Sequence, residues 1–81
     1  MQSIRVYVTL KRSVLDPQGE AVREGLAALG FGGVASVRVG KFIELDLEDD
    51  GSPLQPRIEQ MCEQLLSNPV IEDYRIEVGE Q

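Results

Sequence analysis

The 81-residue chain contains no histidine, no tryptophan and a single cysteine, Cys62. Without histidine, the commonest general base and the commonest metal-ligating side chain are gone. One cysteine excludes an internal disulfide, and one cysteine without histidine cannot build the usual zinc constellations. Basic residues are also scarce: eight Lys and Arg stand against fourteen Asp and Glu, a formal net charge of −6. That leaves little material for the basic face of a nucleic-acid binder or for docking on an anionic membrane. No apolar run approaches the roughly 20 residues that span a bilayer. A strand pattern begins within a few residues of Met1, in place of a secretory leader layout, so a cytoplasmic location is expected.

What is present fits one small globular domain over residues 1–81. Hydrophobic residues make up 42% and charged residues 27%, too apolar for a disordered chain. A domain of this size buries only roughly 60–65% of the surface its unfolded chain exposes, so self-association would add to a modest stability.

The periodicities lay out the elements in order. Ile4, Val6, Val8 and Leu10 alternate with Arg5, Tyr7 and Thr9, which predicts a half-buried strand over 3–10. Asp16-Pro17 is a helix start, with Asp as N-cap and Pro at the first helical position. Val22, Gly25, Leu26 and Leu29 then form one stripe, with Gly25 expected to allow close packing on a sheet. Leu29-Gly30-Phe31 ends that helix in a left-handed glycine turn. A second helix is predicted over 53–66, its stripe made by Leu54, Ile58, Met61, Cys62 and Leu65. Ser52 and Gln55 suggest a capping box, although Pro56 argues for a later start. Asn68-Pro69 stops the helix, and 70–78 reads as the last strand, with Glu72, Tyr74, Ile76 and Val78 on one face. Residues 79–81 are expected to fray.

Between the helices lies Val37-Arg38-Val39-Gly40-Lys41-Phe42-Ile43-Glu44-Leu45-Asp46-Leu47, which reads as two strands around a Gly-Lys break. Its parity is unusual. A two-residue turn would pair Val39 with Phe42 and put Val37 and Val39 on the opposite face from Ile43, Leu45 and Leu47. A three-residue loop pairing Val39 with Ile43, or a bulge, would restore the parity within one chain. A long bent strand that carries a segment onto a neighbour would also restore it, and this shared arrangement is preferred.

The resulting order, β-α-β-β-α-β, predicts an α+β two-layer sandwich of ferredoxin-like order. It has a mostly antiparallel four-stranded sheet with two helices on one face, in a segment-swapped dimer. The uncovered sheet face, expected to be rich in Val, Ile, Tyr and Phe, is a candidate interface.

Chemical motifs are weak. Residues 46–51 place acids at the first, third and fifth positions of a calcium loop, but position twelve would be Arg57 and two prolines interrupt it. Gly40-Lys41 lacks the earlier glycine and the following helix of a phosphate loop. Cys62 sits at core spacing with no histidine to activate it. Glu44, Glu72 and Asp73 are strand acids for which ion pairing is the favoured reading. Nothing assembles a nucleophile, a base and an oxyanion site, so no catalytic and no metal-ligating residue is assigned.

Three runs carry a resemblance. They are Val14-Leu15-Asp16-Pro17-Gln18-Gly19, Val37 through Leu45, and Met61 through Arg75 with its Ser67-Asn68-Pro69-Val70-Ile71-Glu72-Asp73-Tyr74-Arg75 end. Together, in register and over nearly the whole chain, they resemble the PurS family, the small subunit of phosphoribosylformylglycinamidine synthase. The resemblance implies a role in de novo purine synthesis, where formylglycinamide ribonucleotide, ATP and glutamine give formylglycinamidine ribonucleotide. It implies a homodimer or dimer of dimers that bridges a large synthetase subunit and a glutaminase subunit and supports ammonia transfer. ATP and magnesium are expected on the large partner, with no cofactor on this chain. Candidate contact residues are Arg38, Gly40, Lys41 and Glu44 around the bend, with Glu72, Asp73, Tyr74 and Arg75. The alternative function is a free-standing ferredoxin-like module that binds a small metabolite.

Overall fold

A computed structural model describes residues 1–79; the part of the expected frayed tail at residues 80 and 81 lies outside the described residues. The alternating pattern of the first segment forms strand β1, Gln2–Leu10. Ile4, Val6 and Val8 are essentially inaccessible to solvent. β1 is the central strand of a three-stranded antiparallel sheet, flanked by β2 (Lys41–Leu47) and β3 (Glu72–Gly79). Val6 pairs with Ile43 on one side and with Ile76 on the other, so the apolar positions of all three strands share one face.

The fourth strand expected over 37–39 does not form. Residues 34–40 hold no regular structure, and β2 pairs with β1 rather than with them. The Val39 N–H donates 2.9 Å to the Asp16 carboxylate, 23 residues away in sequence, and not to a neighbouring strand. The parity of the stretch is thereby resolved, because Val37 and Val39 are not part of the sheet.

Helix α2, Leu54–Met61, covers the apolar face. Its Ile58, with Cys62 four residues on, is fully buried against Ile4, Val6 and Val8. Burying a side chain such as Ile58 stabilises the fold by about 1.5–3 kcal/mol. No capping box forms, since the Ser52 hydroxyl turns back to Asp50. Pro56 is tolerated because it is the third residue of the helix, where the missing N–H has no intrahelical partner anyway. The helix continues as a π turn over Cys62–Leu66, closed by the Ser67 N–H and hydroxyl, each donating 2.8 Å to the Cys62 carbonyl. The wider turn delays the return to the core face by one residue. Leu66 packs on the core, and Leu65, expected on the apolar stripe, is 82% exposed.

Helix α1, Pro17–Ala28, begins and ends as its sequence dictates. The Asp16 side chain accepts from the Gly19 N–H at 2.9 Å. Gly30, at φ 98°, lets the Phe31 N–H reach the Leu26 carbonyl and the Gly30 N–H the Ala27 carbonyl. The helix does not, however, lie on the sheet. Gly19 is its one buried residue, while Val22, Leu29 and Phe31 are 44%, 76% and 59% exposed. A Cβ at Gly25 would meet nothing within 4 Å, so the close packing expected there is absent. The chain is correspondingly elongated, 52 × 29 × 14 Å with a radius of gyration of 16.2 Å. A compact chain of this length would have a radius of roughly 12 Å.

Candidate functional site

Of the two sheet faces, the one that no helix covers is polar, contrary to expectation. Register places Glu44, Arg5 and Glu77 in one row across it, and Phe42, Tyr7 and Arg75 in the next. The Val and Ile positions lie on the α2 side. Within the second row, the Tyr7 and Phe42 rings stand 5.0 Å apart, and the Arg75 guanidinium sits 4.2 Å over the Tyr7 ring. The Tyr7 hydroxyl donates 3.0 Å to Glu77, whose other oxygen accepts from Arg75 at 2.7 Å. These two bonds, Tyr7 first, hold the Glu77 carboxyl below its ordinary range. The same bond, with some burial, raises the Tyr7 phenol. Next along the face, Lys11 and Asp73 form an ion pair at 2.7 Å.

The candidate contact residues therefore divide among four places. Asp73 and Arg75 lie on the polar face with Glu44. Gly40, Lys41 and Glu72 line one hollow of about 320 Å³ with Val8, Leu10, Gln18 and Val39, at the end of the sheet. A Cβ at Gly40 would lie 2.3 Å from the Val8 carbonyl oxygen, so the chain can enter β2 here only with a glycine. Glu72 is occupied locally, accepting the Asn68 N–H at 2.7 Å and tying off the turn before β3. Tyr74 faces the other way from its neighbours, packed at the rim of the core, where burial raises its phenol. Arg38 stands apart at the base of α1, donating to the Val14 carbonyl at 2.9 Å and the Arg12 carbonyl at 2.8 Å.

Two features escaped the sequence reading. Asp16 is legible as an N-cap, but nothing signals that its second oxygen holds Val39, 23 residues away. The Tyr7–Phe42–Arg75 cluster follows from strand register, which local periodicity leaves open. Glu44 and Glu72 lie on opposite faces of the sheet, so the strand acids do not converge on one point where a substrate atom could sit. Cys62 is a core residue, its thiol pushed up by burial and then by Glu59 and Glu63. It is correspondingly inert.

Comparison with known proteins supplies what the chemistry alone does not. Residues 3–80 match the PurS family, described as phosphoribosylformylglycinamidine (FGAM) synthase. The PurS subunit of Bacillus subtilis phosphoribosylformylglycinamidine synthase is 50% identical over 80 residues, covering 99% of this chain and 95% of its own. A solved structure of B. subtilis PurS superimposes with a TM-score of 0.94 at 50% identity, over 99% of this chain and all of that one. A chain of the Thermotoga maritima PurLQS structure matches with a TM-score of 0.77 at 27% identity, over 98% of this chain and 99% of its own. The chain belongs to the PurS family, subunits of the phosphoribosylformylglycinamidine synthase of purine biosynthesis.

Proposed function

We propose that this chain is the non-catalytic assembly subunit of its synthase, bridging the large synthetase subunit and the glutaminase subunit and supporting ammonia transfer between them in the cytoplasm. The observation that carries this reading is the full-length likeness to a chain of the PurLQS assembly. The dispersed strand acids agree with it. ATP and magnesium belong, on this reading, to the large partner.

The chain works as a homodimer. Val22 and Leu29 of its α1 stripe, with Phe31 beyond the helix end, are exposed, and its shape is extended. A second copy that covers the stripe removes both anomalies. Because β2 returns to its own β1, the element exchanged between copies is the α1 segment, not the second strand. Contacts with the larger subunits are assigned to Arg38, Gly40, Lys41 and Glu44 and to Glu72, Asp73, Tyr74 and Arg75, with Lys41 the most informative.

Reconstitution tests the reading. Glutamine-dependent amidination by the large and glutaminase subunits is measured with and without this chain. Loss of activity and of the complex without it is expected; equal activity and an intact complex in its absence would overturn the proposal. Lys41→Glu is expected to weaken assembly in gel filtration while the melting curve of the isolated chain stays in place.

A further inference from the structure

The base of the α1 segment is stitched more closely than a helix cap requires. Both oxygens of Asp16 are used: Oδ1 accepts from the Gly19 N–H at 2.9 Å, and Oδ2 from the Val39 N–H at 2.9 Å. The residue is 6% exposed. The first bond closes the turn that starts α1, and the second ties that turn to the irregular segment returning toward β2. Arg38 repeats the tie from the other side, its two terminal nitrogens held by the carbonyls of Val14 and Arg12. Gly19 makes the approach possible, since a Cβ there would lie 2.2 Å from the Val37 carbonyl oxygen and 2.9 Å from Asp16 Oδ2. The outgoing and returning limbs of the α1 excursion are therefore locked together where they leave the sheet.

A cap alone would orient nothing beyond its own helix. A lock between the two limbs sets the direction in which the whole excursion projects. Here the excursion ends in apolar side chains that none of the described residues covers. Holding those side chains in one place before contact reduces the ordering cost of association.

We propose that Asp16, acting through the Val39 amide and seconded by Arg38 and Gly19, is the positioning residue that presents α1 to a second copy of this chain. The ligand of the presented surface rests on the dimer reading above; the lock itself does not. The Gly19 and Val39 N–H groups, in that order, hold the Asp16 carboxyl below its ordinary range, so the lock persists into mildly acidic solution.

The test uses the full chain and the variants Asp16→Asn, Gly19→Ala and Arg38→Gln. Amide hydrogen exchange is followed separately in α1 and in β1, and the dimer dissociation constant by sedimentation. In Asp16→Asn, α1 amides should exchange about tenfold faster while β1 protection is retained, and the dissociation constant should rise about tenfold. Gly19→Ala should mimic this, and the double variant should lose less than the two singles combined, because both break one lock. In the wild type, α1 protection should fall off below the ordinary carboxylate range, and Asp16→Asn should abolish that pH dependence. Unchanged α1 exchange, or equal loss of protection in α1 and β1 in every variant, overturns the proposal. If Asp16→Asn does not fold, Arg38→Gln decides by the same criteria, since that side chain bridges only exposed carbonyls. If the wild type never self-associates, the dimer reading fails, and the contrast between α1 and β1 exchange still decides the lock.

Discussion

The Tyr7 hydroxyl and the Glu77 carboxylate, seventy residues apart in sequence, share a hydrogen bond of 3.0 Å across the centre of the uncovered sheet face. Residues 5 and 77 pair directly, so Tyr7 reaches Glu77 along the diagonal while Arg75, its own partner, lies over the ring. The bond is charge-assisted, and it joins β1 to β3 on a face where no helix adds burial.

One consequence is a two-sided pH dependence. Glu77 is depressed in the folded chain, so its contribution is present above the unfolded value and is lost as pH falls through the folded one. Tyr7 is raised from 10.0, so its contribution is present below that value and is lost as pH rises through the folded one. The melting temperature should therefore decline at both acidic and alkaline extremes. Tyr7→Phe should flatten the alkaline decline and weaken the acidic one, with only a small change at neutral pH because both groups are solvated. A melting series across pH checks this, with tyrosinate absorbance of the variant isolating Tyr74. Identical profiles for both proteins would show that the bond carries no weight.

On the opposite face, a small set of side chains carries the core. Ile58→Ala removes a buried side chain from between Ile4, Val6 and Val8 and should cost about 2–5 kcal/mol. Because a dimer links folding to association, the wild-type melting temperature should also rise with protein concentration. Urea unfolding at several concentrations measures both effects. A loss under about 1 kcal/mol would mean that α2 is not the principal cover of the sheet.

Much of this architecture was legible because the signals are local. The period-two pattern of β1 announces a half-buried strand, and Asp16-Pro17 and Gly30 mark the ends of α1 through backbone requirements that few other residues meet. What remained hidden depends on distant partners. The stripe of Val22 and Leu29 states that a face must be covered but not by what. The π turn that turns Leu65 outward depends on Ser67 donating back five residues. Motif places Glu72 and Tyr74 among the candidate contacts, while their engagement, Glu72 in its own turn and Tyr74 at the core rim, depends on geometry that a motif does not carry.

Leu29 separates folding from association. It is 76% exposed at the end of α1, so Leu29→Lys should change the stability of the isolated chain by less than about 0.5 kcal/mol. A lysine there also suits the negative end of the helix dipole. Burial of this side chain is worth about 1.5–3 kcal/mol, and a symmetric dimer buries it twice, so the dimer dissociation constant should rise roughly 100- to 10,000-fold. Sedimentation equilibrium and circular dichroism on the same samples give the two numbers. Weakened folding with unchanged association would place Leu29 in an intrachain role instead.

Gly40, one of the proposed contact positions, also has a role within the chain. Its backbone passes so close to β1 that an added Cβ would meet the Val8 carbonyl oxygen at 2.3 Å and the Thr9 methyl at 2.9 Å. The first obstacle is backbone at the end of the β1–β2 ladder, next to the Val8–Lys41 pair, and cannot rotate aside. Gly40→Ala should therefore force that end of the ladder apart and cost about 1–3 kcal/mol, the usual range for overpacking. The damage should be local: amides of Val8 and Lys41 should exchange faster, while those paired near Ile4 and Leu45, nearer the other end of the ladder, stay protected. Because Lys41 changes direction with the strand end, complex formation should weaken along with the ladder. Gly40→Ala with wild-type stability would mean that the approach of the two strands is looser than these distances require.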